Sequence, residues 1–323
     1  MKAEIKPRIG NDRTPLQDVI PLSTPYLVFL DPSDKCNAKC AWCPTGSGEA
    51  KKYKKAGLMD WGLYRKIVDD LAAMPEPIKT LRLYMMGEPL LNPRFADMVR
   101  YAKDTGRFGQ VDTTTNGSLL DGGRIHNIWA AGLDMVVVSV PSEYNWKNVQ
   151  TIKFLYETSR SFNSWNSDGR REVVVKIIGD LLSGEQLTQF YKDFGNICDR
   201  IFIEHLAPCW PGFAVEGVGE LGIYGQPVKE VRVCPYIFYS LAINSDGTVS
   251  LCFLDWSHKM IIGDLNKESF KDIWNGWLLR IHRLGQLQGK RSINPVCCNC
   301  GQLAYGAPDD IDQYADEILG RLK

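Results

Sequence analysis

Alternating strand-like and helix-like segments predict an α/β protein built around a parallel sheet. Six apolar, strand-like runs lie between Tyr26 and His205, and helix-like segments separate them. Each unit is about thirty residues long, which is the size of a βαβ repeat. Six units predict a partial (β/α)6 TIM-like barrel, followed by a small C-terminal domain that consists of a β-hairpin and a helix.

Strands are expected where short apolar runs occur, and helices where a capping residue precedes apolar residues at helical spacing. Asp60 is the expected N-cap of a helix over Asp60–Met74, and Asn92 caps a helix near Pro93–Asp104. The run Met135–Val140 is nearly all apolar, as expected for a strand that is covered on both faces. The six expected strands are Tyr26–Leu30, Thr80–Met85, Gln110–Thr114, Met135–Val140, Val173–Ile178 and Arg200–His205.

Changes in composition divide the chain into three parts. Residues 1–24 are polar and interrupted by prolines, and we expect them to form an N-terminal arm across the domain surface. The barrel is expected over residues 25–225, ending in a stretch rich in glycine and proline. In residues 226–323, the Asp-Gly pair at 246–247 predicts a hairpin turn, and an apolar helix is expected near Phe270–Leu284.

Composition limits the partners and the location of the protein. Apolar residues make up 44% of the chain and charged residues 24%, which is typical of a soluble globular protein. The formal net charge is zero, so no overall field attracts nucleic acid or an anionic membrane, and the basic run Lys51–Lys55 is expected to be a solvated loop face. Neither a signal sequence nor an apolar run of about 20 residues is present, so we expect a cytoplasmic protein without a membrane partner. Ten cysteines in that reducing compartment favour metal ligation over disulfides.

Three cysteines lie close together directly after the first predicted strand. Cys36, Cys40 and Cys43 have the spacing C-x3-C-x2-C. Thiolates are soft ligands that favour iron–sulfur clusters, zinc or Cu(I). Three of them can hold three corners of a four-iron cluster and leave the fourth iron open. The alternative is a structural zinc site, which normally needs four ligands, and none of the four histidines lies near this loop.

A second group of cysteines lies in the C-terminal part of the chain. Cys234, Cys252, Cys297 and Cys300 provide four thiolates, and the last two have the spacing C-x2-C. Four thiolates can close around zinc or around a four-iron cluster, and spacing alone favours zinc. Cys298 could take the place of Cys297, so the sequence does not decide which of the two is the third ligand.

The first cysteine loop resembles the signature of a known family. C-x3-C-x2-C, with an aromatic residue (Trp42) before the last cysteine, is similar to the motif of radical S-adenosylmethionine (SAM) enzymes. The resemblance implies a (β/α)6 core and a [4Fe–4S] cluster on Cys36, Cys40 and Cys43 whose open iron binds SAM, with Trp42 beside it. It also implies an external one-electron donor such as flavodoxin or ferredoxin.

Other strand ends carry residues that the resemblance assigns to SAM binding. The sequence Met86-Gly87-Glu88-Pro89 resembles the family's GGEP element, with Met86 in place of the first glycine, and implies that Gly87 and Glu88 meet the amino group of SAM. Asn116 lies in a Thr-Asn-Gly turn after the third strand, and Ser139 is the polar residue of the fourth strand, where the family binds the ribose.

Lys176 is a charged residue within the apolar fifth strand and must have a partner, because burying an unpaired charge is costly. The resemblance makes the SAM carboxylate one candidate; a carboxylate on a neighbouring strand is the other. Arg82 and Tyr84 share one face of the second strand, and Asp112 and Thr114 share one face of the third. If these faces line the barrel, its interior is polar and suits a hydroxylated substrate.

The C-terminal cysteines resemble the twitch form of the SPASM extension of radical SAM enzymes. This resemblance implies one auxiliary [4Fe–4S] cluster held by Cys234, Cys252, Cys297 and Cys300. Within the superfamily the sequence is similar to a twitch dehydrogenase of an aminocyclitol. The resemblance therefore implies that SAM is cleaved to a 5′-deoxyadenosyl radical, which takes hydrogen from a small hydroxylated substrate (a sugar or aminocyclitol) and oxidises an alcohol.

Three alternatives to this function remain open from the sequence. Cys209, just beyond the sixth strand, could return a hydrogen atom to a substrate radical and make the protein an epimerase. A maturase of ribosomal peptides would use the same cofactors. A zinc-stabilised binding protein without catalysis is the alternative from another class.

Overall fold

The backbone forms one ten-stranded mixed sheet with helices packed against it. The structure is a computed structural model that describes residues 1–7, 13–55, 57–165, 171–306 and 309–322. The strands in chain order are β1 (Glu4–Ile5), β2 (Leu27–Leu30), β3 (Ile78–Arg82), β4 (Phe108–Thr115), β5 (Met135–Ser139), β6 (Glu172–Ile178), β7 (Arg200–Glu204), β8 (Ser240–Ile243), β9 (Thr248–Ser250) and β10 (Ile261–Asp264).

The helices cover the strand connections and both ends of the chain. In chain order they are α1 (Leu16–Val19), α2 (Trp61–Ala72), α3 (Phe95–Asp104), α4 (Gly122–Ala130), α5 (Trp146–Trp165), α6 (Gly184–Phe194), α7 (Tyr236–Tyr239), α8 (Phe270–Trp274), α9 (Trp277–Leu287), α10 (Gln302–Tyr305) and α11 (Ala315–Leu322). In the part of the chain that is described, no helix is long and apolar enough to cross a membrane.

The strands from β2 to β7 are the six parallel strands that the sequence predicts. Their order in the sheet, β7-β6-β5-β4-β3-β2, follows the chain, as successive βα units require. Among the described residues β1 and β10 are the two edges, and the sheet does not close on itself. The prediction of an α/β fold with a partial barrel is therefore confirmed. Because the carboxyl ends of parallel strands meet at one edge, this order brings the loops after β2 to β7 together.

The two ends of the sheet differ from the sequence-based expectation. The N-terminal arm does more than cross the surface, because β1 pairs in parallel with β7 and extends the sheet. Residues 8–12 of the arm lie outside the described residues. At the other end, β8 pairs in parallel with β2, in a register that aligns Leu27 with Ser240. The C-terminal hairpin thus continues the sheet of the barrel, while the division near residue 225 stays a prediction.

Caps and turns fix the ends of several elements. Asp60 Oδ1 accepts hydrogen bonds from the backbone N–H groups of Gly62 (2.7 Å) and Leu63 (3.1 Å), which confirms Asp60 as the N-cap of α2. The antiparallel pairing of β8 with β9 confirms the hairpin, and Gly247 in its turn has φ = 87°, a conformation that favours glycine.

Two helices differ from the prediction. The predicted helix after Asn92 begins at Phe95, two residues later than expected. Asn92 Oδ1 accepts a hydrogen bond from the N–H of Arg94 (3.0 Å), so a turn separates Asn92 from the first residue of the helix. The single helix expected near Phe270–Leu284 is two helices, α8 and α9. Gly276 separates them in an extended conformation, and a Cβ there would lie 2.9 Å from the carbonyl oxygen of Asp272.

Candidate active site

A large cavity opens where the loops after β2 to β7 converge. Its volume is about 720 Å³, within the usual range of about 300 to 1,000 Å³ for small-molecule sites. The structure brings together at this cavity the first three cysteines, all the residues predicted to bind SAM, and the predicted hydrogen donor. These residues are Cys36, Cys40, Cys43, Trp42, Gly87, Glu88, Asn116, Ser139, Lys176 and Cys209.

The loop with the first three cysteines is packed tightly against the turn after β3. Gly87 has no room for a side chain, because a Cβ there would lie 2.0 Å from the carbonyl oxygen of Ser33 and 2.4 Å from that of Lys35. The N–H of Glu88 donates to the carbonyl of Lys35 (2.8 Å). Gly87 is therefore required for the backbone of the cysteine loop to reach its position, whatever else it contacts.

Glu88 and Asn116 connect the loops after β3 and β4 to the cysteine loop. The buried Glu88 carboxylate accepts hydrogen bonds from the Thr115 hydroxyl (2.6 Å) and from the N–H of Asn116 (2.8 Å). Burial raises the pKa of Glu88, and these hydrogen bonds oppose the rise. The Asn116 amide donates to Asn37 Oδ1 (2.9 Å), which lies next to Cys36. The two residues thus hold three loops in one arrangement around the cavity.

Lys176 has a carboxylate partner on the neighbouring strand. Its Nζ lies 2.7 Å from Glu204 Oε2 at the end of β7, and both side chains line the cavity. In the register of β5 and β6, Ser139 lies directly beside Lys176. Glu204 is thus a structural carboxylate partner of the kind that the sequence left open for Lys176, while the role of Lys176 toward the SAM carboxylate stays a prediction. The sequence analysis did not single out Glu204, although a charged residue at the end of an apolar strand was a visible signal.

The polar residues predicted on faces of the second and third strands lie in two environments, because three of them line the cavity and one is buried in the protein. Arg82 and Tyr84 line the cavity, and so does Thr114, which supports a polar barrel interior. Asp112 is fully buried, with its Oδ2 3.6 Å from Arg82 Nε. Side chains of β3 and β4 therefore bring polar groups to the cavity, as expected for a hydroxylated substrate.

The second group of cysteines surrounds a small cavity of its own. Cys234, Cys252, Cys297 and Cys300 all line this space of about 30 Å³. Burial raises the pKa of Cys234 and of Cys297 to about 12. Cys298 is exposed, and its thiol donates to the carbonyl of Pro295 (3.3 Å). The structure thus places Cys297, and not Cys298, with the other three. Over the described ranges, no three His, Cys, Asp or Glu side chains converge closely enough to hold a single metal ion.

Cys209 lies between the two cavities. It is buried and lines the large cavity, while its carbonyl oxygen accepts a contact from Cys300 Sγ (3.8 Å). Close packing holds this segment in place, because a Cβ on Gly301 would lie 2.2 Å from the carbonyl oxygen of Pro208. Burial raises the pKa of Cys209 to about 12, so its side chain is a protonated thiol at neutral pH.

One lysine of the basic run Lys51–Lys55 contradicts the expectation of a solvated face. Lys54 is 7% exposed, and its ammonium group lies 3.0 Å from Asp34 Oδ2 and 3.1 Å from His258 Nε2. Burial lowers the pKa of His258 to about 4, so its ring is neutral and can accept the hydrogen bond. Lys54 therefore ties the segment around the first cysteine loop to the C-terminal part of the chain.

Comparisons with known proteins agree with this arrangement. A model of the radical SAM superfamily matches residues 30–145, and a model of the SPASM iron–sulfur cluster-binding domain matches residues 234–301. The tungsten-containing aldehyde ferredoxin oxidoreductase cofactor-modifying protein of Pyrococcus furiosus is 33% identical over 337 residues, spanning 90% of this chain and 92% of that protein.

Two further similarities concern a dehydrogenase and its fold. The S-adenosyl-L-methionine-dependent 2-deoxy-scyllo-inosamine dehydrogenase of Niallia circulans is 19% identical over 88% of this chain and 96% of that enzyme. A crystal structure of BtrN in complex with AdoMet and 2-DOIA superimposes with a TM-score of 0.59 at 19% identity, covering 85% of this chain and 92% of BtrN. The superposition shows that the two proteins share a fold.

These findings define the class of protein. The chain belongs to the radical SAM superfamily and carries a SPASM iron–sulfur cluster-binding domain. It is an enzyme whose cofactors are SAM, a [4Fe–4S] cluster and auxiliary iron–sulfur clusters. The family resemblance is therefore confirmed, and the alternative of a zinc-stabilised binding protein is rejected. The residues present fit these groups, because three thiols line the large cavity and four surround the small one.

Proposed function

We propose that this enzyme oxidises an alcohol of a small hydroxylated substrate, a sugar or aminocyclitol, in a reaction started by reductive cleavage of SAM. When bound, the first cluster and SAM supply a 5′-deoxyadenosyl radical that takes a hydrogen atom from the substrate. The observation that carries the proposal is the large cavity, whose lining brings three thiols together with polar side chains of β3 to β7. An external one-electron donor and a location in the cytoplasm complete the proposal.

The residues of the chain have separate tasks in this proposal. Cys36, Cys40 and Cys43 hold the first cluster, and Glu88 and Asn116 fix the loop that carries them, through hydrogen bonds of 2.8 and 2.9 Å. Holding reactants in one geometry supplies a large part of catalysis.

The other polar groups of the cavity bind and orient the ligands. The hydroxyl of Ser139 and the Lys176–Glu204 pair lie side by side on the wall formed by β5 to β7. Lys176 can donate to a carboxylate or hydroxyl, and Glu204 can accept from a hydroxyl or amine. Trp42 and Gly87 complete the SAM site at the cysteine loop.

The second electron of an oxidation needs an acceptor near the substrate. We propose that Cys234, Cys252, Cys297 and Cys300 hold one auxiliary [4Fe–4S] cluster for this purpose. Cys209 supports a short route, because it lines the large cavity and also contacts Cys300. The name of the Niallia circulans relative, a dehydrogenase, supports the same reaction class.

A second candidate substrate is an organic cofactor of another enzyme. The name of the Pyrococcus furiosus relative, a cofactor-modifying protein, favours this candidate at 33% identity over most of the chain. The two candidates share the radical step and differ in the molecule that enters the cavity.

Product analysis tests the proposal. The anaerobically reconstituted, reduced enzyme should form 5′-deoxyadenosine from SAM, and one member of a panel of sugars and aminocyclitols should be converted to a carbonyl product. A variant with Cys36, Cys40 and Cys43 replaced by Ala should form no 5′-deoxyadenosine. If that variant were as active as the wild type, the cluster assignment would be wrong. Conversion of a cofactor extract alone would select the second candidate.

A further inference from the structure

The large cavity does not end at the cysteine loop. Its lining continues along the barrel to the end where β2 and β3 begin, at Tyr26, Lys79 and Thr80. Arg13 and Thr14, from the N-terminal arm, close this end. The cavity therefore has a second end. Neither the residues assigned to SAM binding nor the three cysteines lie at this end.

Three cationic side chains line the cavity from this second end up to the last residue of β3, and we call this region the basic end: Arg13, Lys79 and Arg82. Each of the three contacts residues of the cavity wall. Lys79 Nζ donates to the hydroxyl of Thr14 (3.2 Å), next to Arg13 in the chain. The guanidinium carbon of Arg13 lies 5.8 Å from the centre of the Tyr239 ring, and that of Arg82 lies 5.4 Å from the centre of the Phe29 ring.

The carboxylates near the basic end leave part of its positive charge unmatched. Arg13 is closely paired with Asp309, at 2.7 Å. Among the described residues, the carboxylate paired with Arg82 is Asp112 at 3.6 Å, and the buried Nε of Arg82 has no hydrogen-bond acceptor there. Lys79 lies 3.6 Å from the centre of the Tyr26 ring and, within the described residues, has no carboxylate partner.

An unmatched donor inside a cavity points to a ligand that provides the acceptor. Leaving a buried donor unpaired costs free energy, and a cation costs more than a neutral group. A guanidinium group matches the geometry of phosphate and carboxylate oxygens, and an ammonium group adds a point charge.

We infer that the basic end binds an oxyanion, so that the substrate is an acidic molecule whose phosphate or carboxylate group lies at Arg82 and Lys79. This inference rests on the proposed function for the identity of the oxidised group, which lies near the cysteine loop. The substrate then spans part of the cavity, with its acidic group at the basic end and its reacting carbon toward the cysteine loop. Such a distant anchor orients the molecule without taking part in the chemistry.

Binding of simple anions tests this inference without any turnover. The reconstituted enzyme is titrated with inorganic pyrophosphate, and in parallel with succinate, at constant ionic strength, and its melting temperature and heat of binding are recorded. At least one of the two anions should bind and raise the melting temperature. The anion that binds more tightly shows whether the group is a phosphate or a carboxylate.

Two variants and a matched control locate the site. Arg82→Gln should weaken anion binding at least tenfold, and so should Lys79→Gln, which changes an exposed side chain and should not disturb folding. Arg94→Gln, which changes an exposed arginine directly before α3, should bind like the wild type. If neither anion binds the wild type, or if both cavity variants bind as the control does, the inference is wrong. Because SAM cleavage is measured separately as 5′-deoxyadenosine, failure of the proposed function would leave this result intact.

Discussion

Lys54 Nζ lies 3.0 Å from Asp34 Oδ2, and the two side chains are only 7% and 3% exposed. Asp34 stands two residues before Cys36, and Lys54 follows Cys43 by eleven positions. The ion pair therefore closes the segment that contains all three cysteines into a loop. The same ammonium group contacts His258, so the loop is also attached to the C-terminal part of the chain.

Removing the charge of Lys54 should destabilise the protein. Lys54→Met keeps the length of the side chain but leaves the Asp34 carboxylate buried without its partner, which typically costs about 3 to 5 kcal/mol. Denaturant unfolding of the iron-free protein measures this loss. Lys52→Met changes an exposed lysine of the same run and should unfold at the same denaturant concentration as the wild type. Equal stability of the two variants would contradict the role given to Lys54.

A methyl group at Gly87 should displace the cysteine loop. In Gly87→Ala, the new Cβ meets the backbone oxygens of Ser33 and Lys35 at 2.0 and 2.4 Å, and the backbone cannot yield as a side chain would. We expect a loss of about 1 to 3 kcal/mol in the free energy of unfolding and less iron at the first cluster. Gly320→Ala is the matched control, since nothing lies within 4 Å of that Cβ; helix α11 should gain about 0.5 to 1 kcal/mol. Normal iron content in Gly87→Ala would refute this account.

Local signals in the sequence predicted much of the fold. Asp60 as a cap, the turn at Gly247 and the apolar run of β5 depend on neighbouring residues, and the structure has each of them. The cysteine loop was also visible, because its three cysteines lie within eight residues.

Contacts between distant parts of the chain could not be predicted in this way. The pairing of β8 with β2, and of β1 with β7, joins segments about 200 residues apart, and no local pattern specifies such partners. The burial of Lys54 has the same origin, because its partner His258 is 204 residues away. Gly87 resembled a SAM-binding glycine, but its close approach to Ser33 appears only when the two loops are packed together.

The four C-terminal cysteines should act as one site, with Cys298 outside it. Cys252→Ala should remove about four irons per chain, if the site is a closed four-iron cluster with four cysteine ligands, and should leave the first cluster assembled. Cys298→Ala should have the iron content of the wild type, because that thiol is exposed. Iron analysis after anaerobic reconstitution measures both. Loss of iron in Cys298→Ala, with none in Cys297→Ala, would reverse the choice between the two neighbours.

Cys209 decides between oxidation and epimerisation. Its buried thiol lines the cavity, and burial raises its pKa to about 12, so it retains the hydrogen that a donor to a substrate radical would need. The same residue contacts Cys300 through its carbonyl oxygen, which keeps the substrate cavity close to the auxiliary site and favours oxidation. We expect oxidation, because the four thiols around the second cavity would hold the proposed auxiliary cluster, which accepts the second electron. In deuterated water, the product should then be a carbonyl compound without deuterium at the reacting carbon, and Cys209→Ala should remain active. An isomer of unchanged oxidation state that carries one deuterium, and is lost in Cys209→Ala, would instead establish Cys209 as the hydrogen donor of an epimerase.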